Sequence, residues 1–136
     1  MHSPFVFTFI TEVLNDKANF YAYEEVESLR KSLLCDTREI TVNDLGAGST
    51  IMKSNRRKIS DIAKYSAKSP CLAQLLHRIA VYYQPANCIE LGTSLGISTS
   101  YLAFADKHKT VHTIEGSEEI LNLAILNFEK LNAKNI

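Results

Sequence analysis

The stretch Cys88-Ile-Glu-Leu-Gly-Thr-Ser-Leu-Gly-Ile-Ser-Thr99 decides how the rest of the chain is read. Cys88 to Leu91 is a short apolar run broken only by Glu90, which suits a strand. Gly92 and Gly96 bracket a tight turn, and Ile97, Tyr101, Leu102 and Ala105 then recur at helical spacing. A strand, a glycine turn and a helix start in succession bring free backbone N–H groups and the positive end of a helix dipole to one point. Gly92 serves either a sharp turn or the close approach of a ligand to the backbone.

The residues that follow strengthen this reading. Val111-His-Thr-Ile-Glu115 forms a second strand pattern and ends in an acid. That acid falls roughly 20 residues beyond the turn, the spacing at which a strand–helix–strand unit presents a carboxylate to ribose hydroxyls. Together the two features point to a nucleoside-containing ligand. A dinucleotide site uses G-x-G-x-x-G, and its second glycine position is Ser94 in this chain. Glu90 also adds negative charge where a pyrophosphate would lie. Both departures disfavour a dinucleotide. They suit S-adenosylmethionine, which has no phosphate and carries a cationic sulfonium and ammonium.

Glu90-Leu-Gly-Thr-Ser-Leu-Gly96, with the acid of Thr113-Ile-Glu115-Gly116, resembles the first two motifs of class I S-adenosylmethionine-dependent methyltransferases. The Glu-Leu-Gly-Thr turn is similar to that of small-molecule O-methyltransferases. The match spans roughly residues 86–136, and the upstream part is similar to the N-terminal extension of a bacterial subgroup. The resemblance implies a cofactor site at Glu90, Gly92, Thr93, Ser94, Gly96, Ser98 and Glu115. Glu90 and Gly92 would border the methionine end of S-adenosylmethionine, and Glu115 would bind its ribose. It implies methyl transfer to a small-molecule acceptor and does not identify that acceptor.

The fold class expected is α/β. A helical cap over residues 1–85 precedes the first part of a Rossmann-like parallel sheet over 86–136, in a three-layer unit. The family's sheet is larger, and this chain stops near a third strand at Asn135-Ile136, so a truncated product or fragment is expected. One edge of strand 87–91 would then be unpaired and apolar surface uncovered, favouring a homo-oligomer through that edge or through the N-terminal helices. Two other classes remain open: a non-catalytic half-fold used for protein association, and a nicotinamide-binding oxidoreductase domain.

Composition narrows the partners. Among 136 residues, 46% are hydrophobic and 22% charged, ordinary for a globular domain. Fifteen basic and fifteen acidic side chains cancel, so no global field favours nucleic acid or an anionic membrane. Cys35, Cys71 and Cys88 are widely spaced and match no zinc or redox motif, which reads as buried thiols in a reducing cytoplasm. No signal peptide or membrane-spanning run is evident.

Taken in order, Ser3-Pro4 starts a helix whose Phe5, Val6, Phe9, Ile10, Val13 and Leu14 form an apolar stripe. It serves as a lid, a packing helix or a dimer contact. A second helix runs from about Tyr23 to Leu34. A short strand at Ile40–Asp44 leads into Asp44-Leu-Gly-Ala-Gly-Ser49, which imitates the glycine motif but lacks the helix and acid that should follow. Lys53, Arg56, Arg57 and Lys58 cluster after it, as an anion site beside a glycine turn or as a solvated loop. Helices follow from Ile59 to about Lys68 and from Pro70 to Pro85, the latter with Leu72, Leu75, Leu76, Ile79 and Tyr83 as its packing stripe. The final helix buries Ile120, Leu121, Ala124, Ile125, Phe128 and Leu131.

Methyl transfer from a sulfonium chiefly requires alignment, and sometimes a base. His2 is near the terminus, His77 and His108 read as surface residues, and His112 as structural, so no catalytic base is assigned. No cluster of His and carboxylates marks a metal site.

Overall fold

A computed structural model describes residues 3–43 and 54–136. The imitation glycine motif from Asp44 to Ser49, Lys53 of the basic cluster, and His2 lie outside the described residues.

Helix α1 (Pro4–Thr8) continues into a π-helical turn, Phe9–Leu14. Then come α2 (Tyr21–Leu34), β1 (Glu39–Thr41), β2 (Arg56–Lys58), α3 (Ile59–Tyr65) and α4 (Pro70–Tyr83). The chain ends with β3 (Cys88–Leu91), α5 (Ile97–Ala105), β4 (Val111–Ile114) and α6 (Glu118–Lys130). Proline opens α1 and α4, where its fixed φ suits the first turn and its missing N–H costs nothing. The serines at the two N-cap positions make no side-chain cap. Gln84 stops α4 in the left-handed region (φ 46°), and Pro85 follows it.

The basic cluster differs from the solvated loop expected of it. Arg56–Lys58 is a strand, antiparallel to Glu39–Thr41 with Ile40 opposite Arg57, and Arg56 pairs with Glu39 at 2.9 Å. Helix α3 stops at Tyr65, so Ser66–Lys68 is a separate connection.

Strands β3 and β4 are parallel neighbours, Cys88 opposite Val111 and Glu90 opposite Thr113, with α5 as the crossover. Side chains alternate across such a pair. Glu90 and Thr113 face α5, whose Ser98 and Thr99 bond Glu90. Ile89, Leu91 and Ile114 face the other way and are exposed by 69%, 80% and 60%. The fold is therefore mixed α/β with one face of its parallel pair uncovered, two layers rather than the three expected. Among the described residues no strand pairs with the second edge of β3. On the outer edge of β4, the Val111 N–H donates to the Asn135 carbonyl at 2.9 Å.

One core joins the two sequence regions. Ala22, Val26, Leu29 and Leu33 of α2 and Ile59 and Ile62 of α3 pack with Leu95, Ile97, Tyr101, Phe104 and Ile120. The boundary between 1–85 and 86–136 is thus one of sequence pattern and not of packing. The N-terminal stripe is largely bare: only Val13 is buried, while Phe5, Val6, Ile10 and Leu14 are exposed. Cys35 and Cys71 are exposed rather than buried, and Cys88 is partly covered.

Helix α4 is turned from its expected face, with Leu75, Leu76 and Ile79 only half-buried. Its buried side is Ala73, His77 and Ala80, whereas Leu72 and Tyr83 are exposed. The two alanines let neighbouring helices approach, and the ring of His77 fills the space between them. That ring lies edge-on to Phe20, Tyr23 and Tyr101, and Nδ1 donates to the Tyr101 carbonyl at 2.8 Å, which fixes the tautomer. Burial lowers the His77 pKa below its ordinary value, with the nearby Arg78 charge acting in the same sense. The unfolded chain therefore binds this proton more readily than the folded one. Stability from His77 is complete above the ordinary histidine value of 6.5 and falls as pH drops through it toward the depressed folded value. Denaturant midpoints measured between pH 7.5 and 5.5 should fall on acidification, and His77→Gln should lower stability at pH 7.5 while flattening that slope. An unchanged slope in the variant would remove His77 as its source.

Candidate functional site

The turn after β3 is pinned to β4 through one carbonyl. Gly92 N–H and Thr93 N–H both donate to the Ile114 oxygen, at 2.8 and 3.2 Å. Gly96 N–H returns to the Thr93 carbonyl at 3.0 Å, and Asn127 of α6 donates from Nδ2 to the Leu95 carbonyl at 2.9 Å. Gly92 (φ 91°), Ser94 (φ 50°) and Gly96 (φ 79°) all lie in the left-handed region. The two glycines do different work. A Cβ on Gly96 would meet the Phe128 ring at 2.4 Å, whereas one on Gly92 would meet nothing within 4 Å. Gly96 is a packing glycine behind the turn, and Gly92 leaves open space in front of it.

Glu90 sits at the base of this space in a nest of hydroxyls. Ser98 Oγ donates to Oε1 at 2.6 Å, and Thr113 Oγ1 to Oε2 at 2.9 Å, with Thr99 Oγ1 also donating to Oε2. Thr113 has spent its proton on Glu90, so its oxygen accepts from Thr93 Oγ1 at 2.7 Å. A carboxylate offers about four acceptor positions, which leaves one on Oε1. Among the described residues no basic side chain is ion-paired with Glu90. Its charge lies beside the first turn of α5, which has no side-chain cap, and offsets the positive dipole end there. A second anion at this helix start would be repelled.

Glu115 is tied to the same turn from the other strand. Oε2 accepts the Ser94 N–H at 2.8 Å, and Oε1 accepts those of Gly116 and Ser117 at 2.9 and 3.0 Å. It is a half-buried structural clamp as well as an acid, with one acceptor position left on Oε2.

A cleft of about 240 Å³ opens over the turn. Glu90, Gly92, Thr93, Ser94 and Ser98 line it, with apolar cover from Leu76, Leu95 and Ile97, and Ser66–Lys68 forms the facing wall. Five of the seven residues expected at a cofactor site are thus brought together. Gly96 lies behind the turn, and Glu115 reaches it only through Ser94. Sequence reasoning missed Thr99, Thr113 and the 66–68 wall. The two threonines stand at inward-facing positions where an apolar residue would be ordinary, and that was their only signal.

None of the described histidines lines the cleft: His77 is in the core, and His108 and His112 are exposed. Among the described residues no three His, Cys, Asp or Glu side chains gather for a metal, and no helix is long and apolar enough to cross a membrane. No protein-family model matches this chain, and no curated protein is similar enough to count as a relative.

The two glycines can be separated by experiment. Gly96→Ala combines an unfavourable φ with the Phe128 clash and should cost roughly 2–4 kcal/mol in denaturant unfolding. Gly92→Ala carries the φ term alone, roughly 1–2 kcal/mol. Equal losses would show that Phe128 yields to the added methyl.

Proposed function

We propose that this chain is the S-adenosylmethionine-binding part of a methyltransferase, of the kind that methylates a small-molecule oxygen, built on a Rossmann-like sheet. The observation that carries the reading is Glu90: a carboxylate in a cleft, oriented by three hydroxyls, with an open acceptor position and no basic partner among the described residues. Such a group suits the cationic amino-acid end of S-adenosylmethionine and opposes a pyrophosphate. Ser98 shares that cleft, and Glu115 retains acceptor capacity for a ribose hydroxyl beside the turn. The residues act by orientation, and no side chain is given the role of base. The free cysteines agree with a cytoplasmic setting.

The cleft is smaller than the roughly 300–1,000 Å³ of most small-molecule sites, so affinity should be weak. Calorimetry should detect S-adenosylmethionine and S-adenosylhomocysteine, and no NAD. Glu90→Gln removes a charge-assisted contact and should weaken S-adenosylmethionine by roughly 1.5–3 kcal/mol. Glu115→Ala should weaken the ligand and also lower stability without it, because three backbone N–H groups lose their acceptor. Tight NAD binding, or indifference of the sulfonium ligand to Glu90→Gln, would end the reading.

Protein association is a second reading, favoured by the exposed Ile89, Leu91 and Ile114 face beside an edge of β3 that no strand among the described residues pairs. It predicts that the chain self-associates in light scattering and that Leu91→Lys restores the monomer with little change in unfolding midpoint. A monomeric wild type at high concentration would dismiss it.

A further inference from the structure

The cleft has two walls from distant parts of the chain. The Gly92–Ser98 wall is built on the parallel strands. The Ser66–Lys68 wall is a short connection between α3 and α4, and Ser66 and Lys68 are themselves exposed. A chain of buried and part-buried side chains joins them. Arg30 of α2 is 6% exposed, and its Nη1 donates to the Lys68 carbonyl at 2.7 Å. Its Nε donates to both oxygens of Glu27, at 3.0 and 2.9 Å. Glu27 Oε1 also accepts the hydroxyl of Tyr101 at 3.0 Å, and Tyr101 is a fully buried residue of α5. Arg30 Nη2 is buried and has no partner among the described residues.

We infer that Arg30 is a positioning residue for the cleft, holding the 66–68 wall at a fixed distance from the glycine turn through Glu27 and Tyr101. Stability alone does not account for the arrangement. A buried ion pair is commonly no better for the fold than apolar residues of the same shape, and an unpartnered guanidinium nitrogen makes this one worse. Geometry does account for it. The planar fork of arginine spans a carboxylate and a carbonyl at once, which a lysine ammonium does not match. The bond is made to the Lys68 main chain, so it fixes the backbone of the wall and leaves the Lys68 side chain free.

The ligand side of this inference rests on the cofactor reading, and its test has a second arm that does not. The bond held at Lys68 belongs to the carbonyl that trypsin must attack to cut Lys68–Ser69. In the intact chain, Arg30→Lys and the pair Glu27→Gln with Arg30→Met should each speed cleavage at that bond at least tenfold, followed by mass spectrometry, with the other sites shared with the wild type, position 30 aside, unchanged. The paired variant keeps an acceptor for Tyr101 and the apolar bulk, and Arg30→Lys keeps the buried charge should the pair fail to fold. Affinity for S-adenosylhomocysteine should fall about tenfold in the same variants. Unchanged cleavage at Lys68–Ser69, or a uniform rise at every site, would overturn the clamp. A wild type that ignores S-adenosylhomocysteine would instead overturn the cofactor reading and leave the proteolysis to decide the clamp. Faster local cleavage with undiminished affinity would show that the wall does not shape the ligand site.

Discussion

The Ile114 carbonyl at the end of β4 is the point on which the glycine turn and the cleft above it depend. It accepts two consecutive N–H groups of the turn that follows β3, so the end of one strand dictates where the other strand's chain reverses. The left-handed residues at 92, 94 and 96 follow from that pin, since the chain has five positions in which to leave the strand and enter a helix. Glu115, one residue beyond the pin, then takes the Ser94 N–H. The acid is close to the turn because the strand register leaves it no other place, and its three backbone bonds give it a role in folding whatever it binds.

The two acids show how the same group is used in opposite ways. Glu115 is bonded almost entirely by backbone donors, which fix the main chain around it. Glu90 is bonded by side-chain hydroxyls alone, which fix the carboxylate and leave the main chain to the sheet. Hydroxyl donors stabilise a charge without cancelling it. A basic partner would have silenced Glu90 toward a cationic ligand; three hydroxyls keep it oriented and still negative toward the cleft.

What could be read from the sequence follows the range of the interactions. The parallel pair, its crossover helix and the gathering of Glu90, Gly92, Thr93, Ser94 and Ser98 rest on local signals: apolar runs, glycine positions and short spacings. The misreadings of His77 and of the basic cluster involve partners far away in the chain. His77 looked like a surface residue because α4 was ranked by hydrophobicity, whereas Ala73 and Ala80 set which side could come close to α5. Arg56–Lys58 became a strand through pairing with Glu39–Thr41, which no property of a basic run announces. Uncovered apolar surface was expected, but neither its place on Ile89, Leu91 and Ile114 nor the single helical layer was, because strand pattern does not tell how many faces are covered.

The same distinction explains why the N-terminal helices belong to the site although no motif lies in them. The glycine turn can be built by β3, β4, α5 and α6 alone, and all of its bonds come from residues 92–127. A turn by itself has one side. The cleft acquires its second side as α4 packs on α5 and as α2, bonded to α5 through Tyr101, reaches the connection after α3 through Arg30. Shape at the cleft is therefore a property of helix packing, and its chemistry a property of the strand ends. Changes in the first should alter how well a ligand fits, and changes in the second should alter which ligand fits at all.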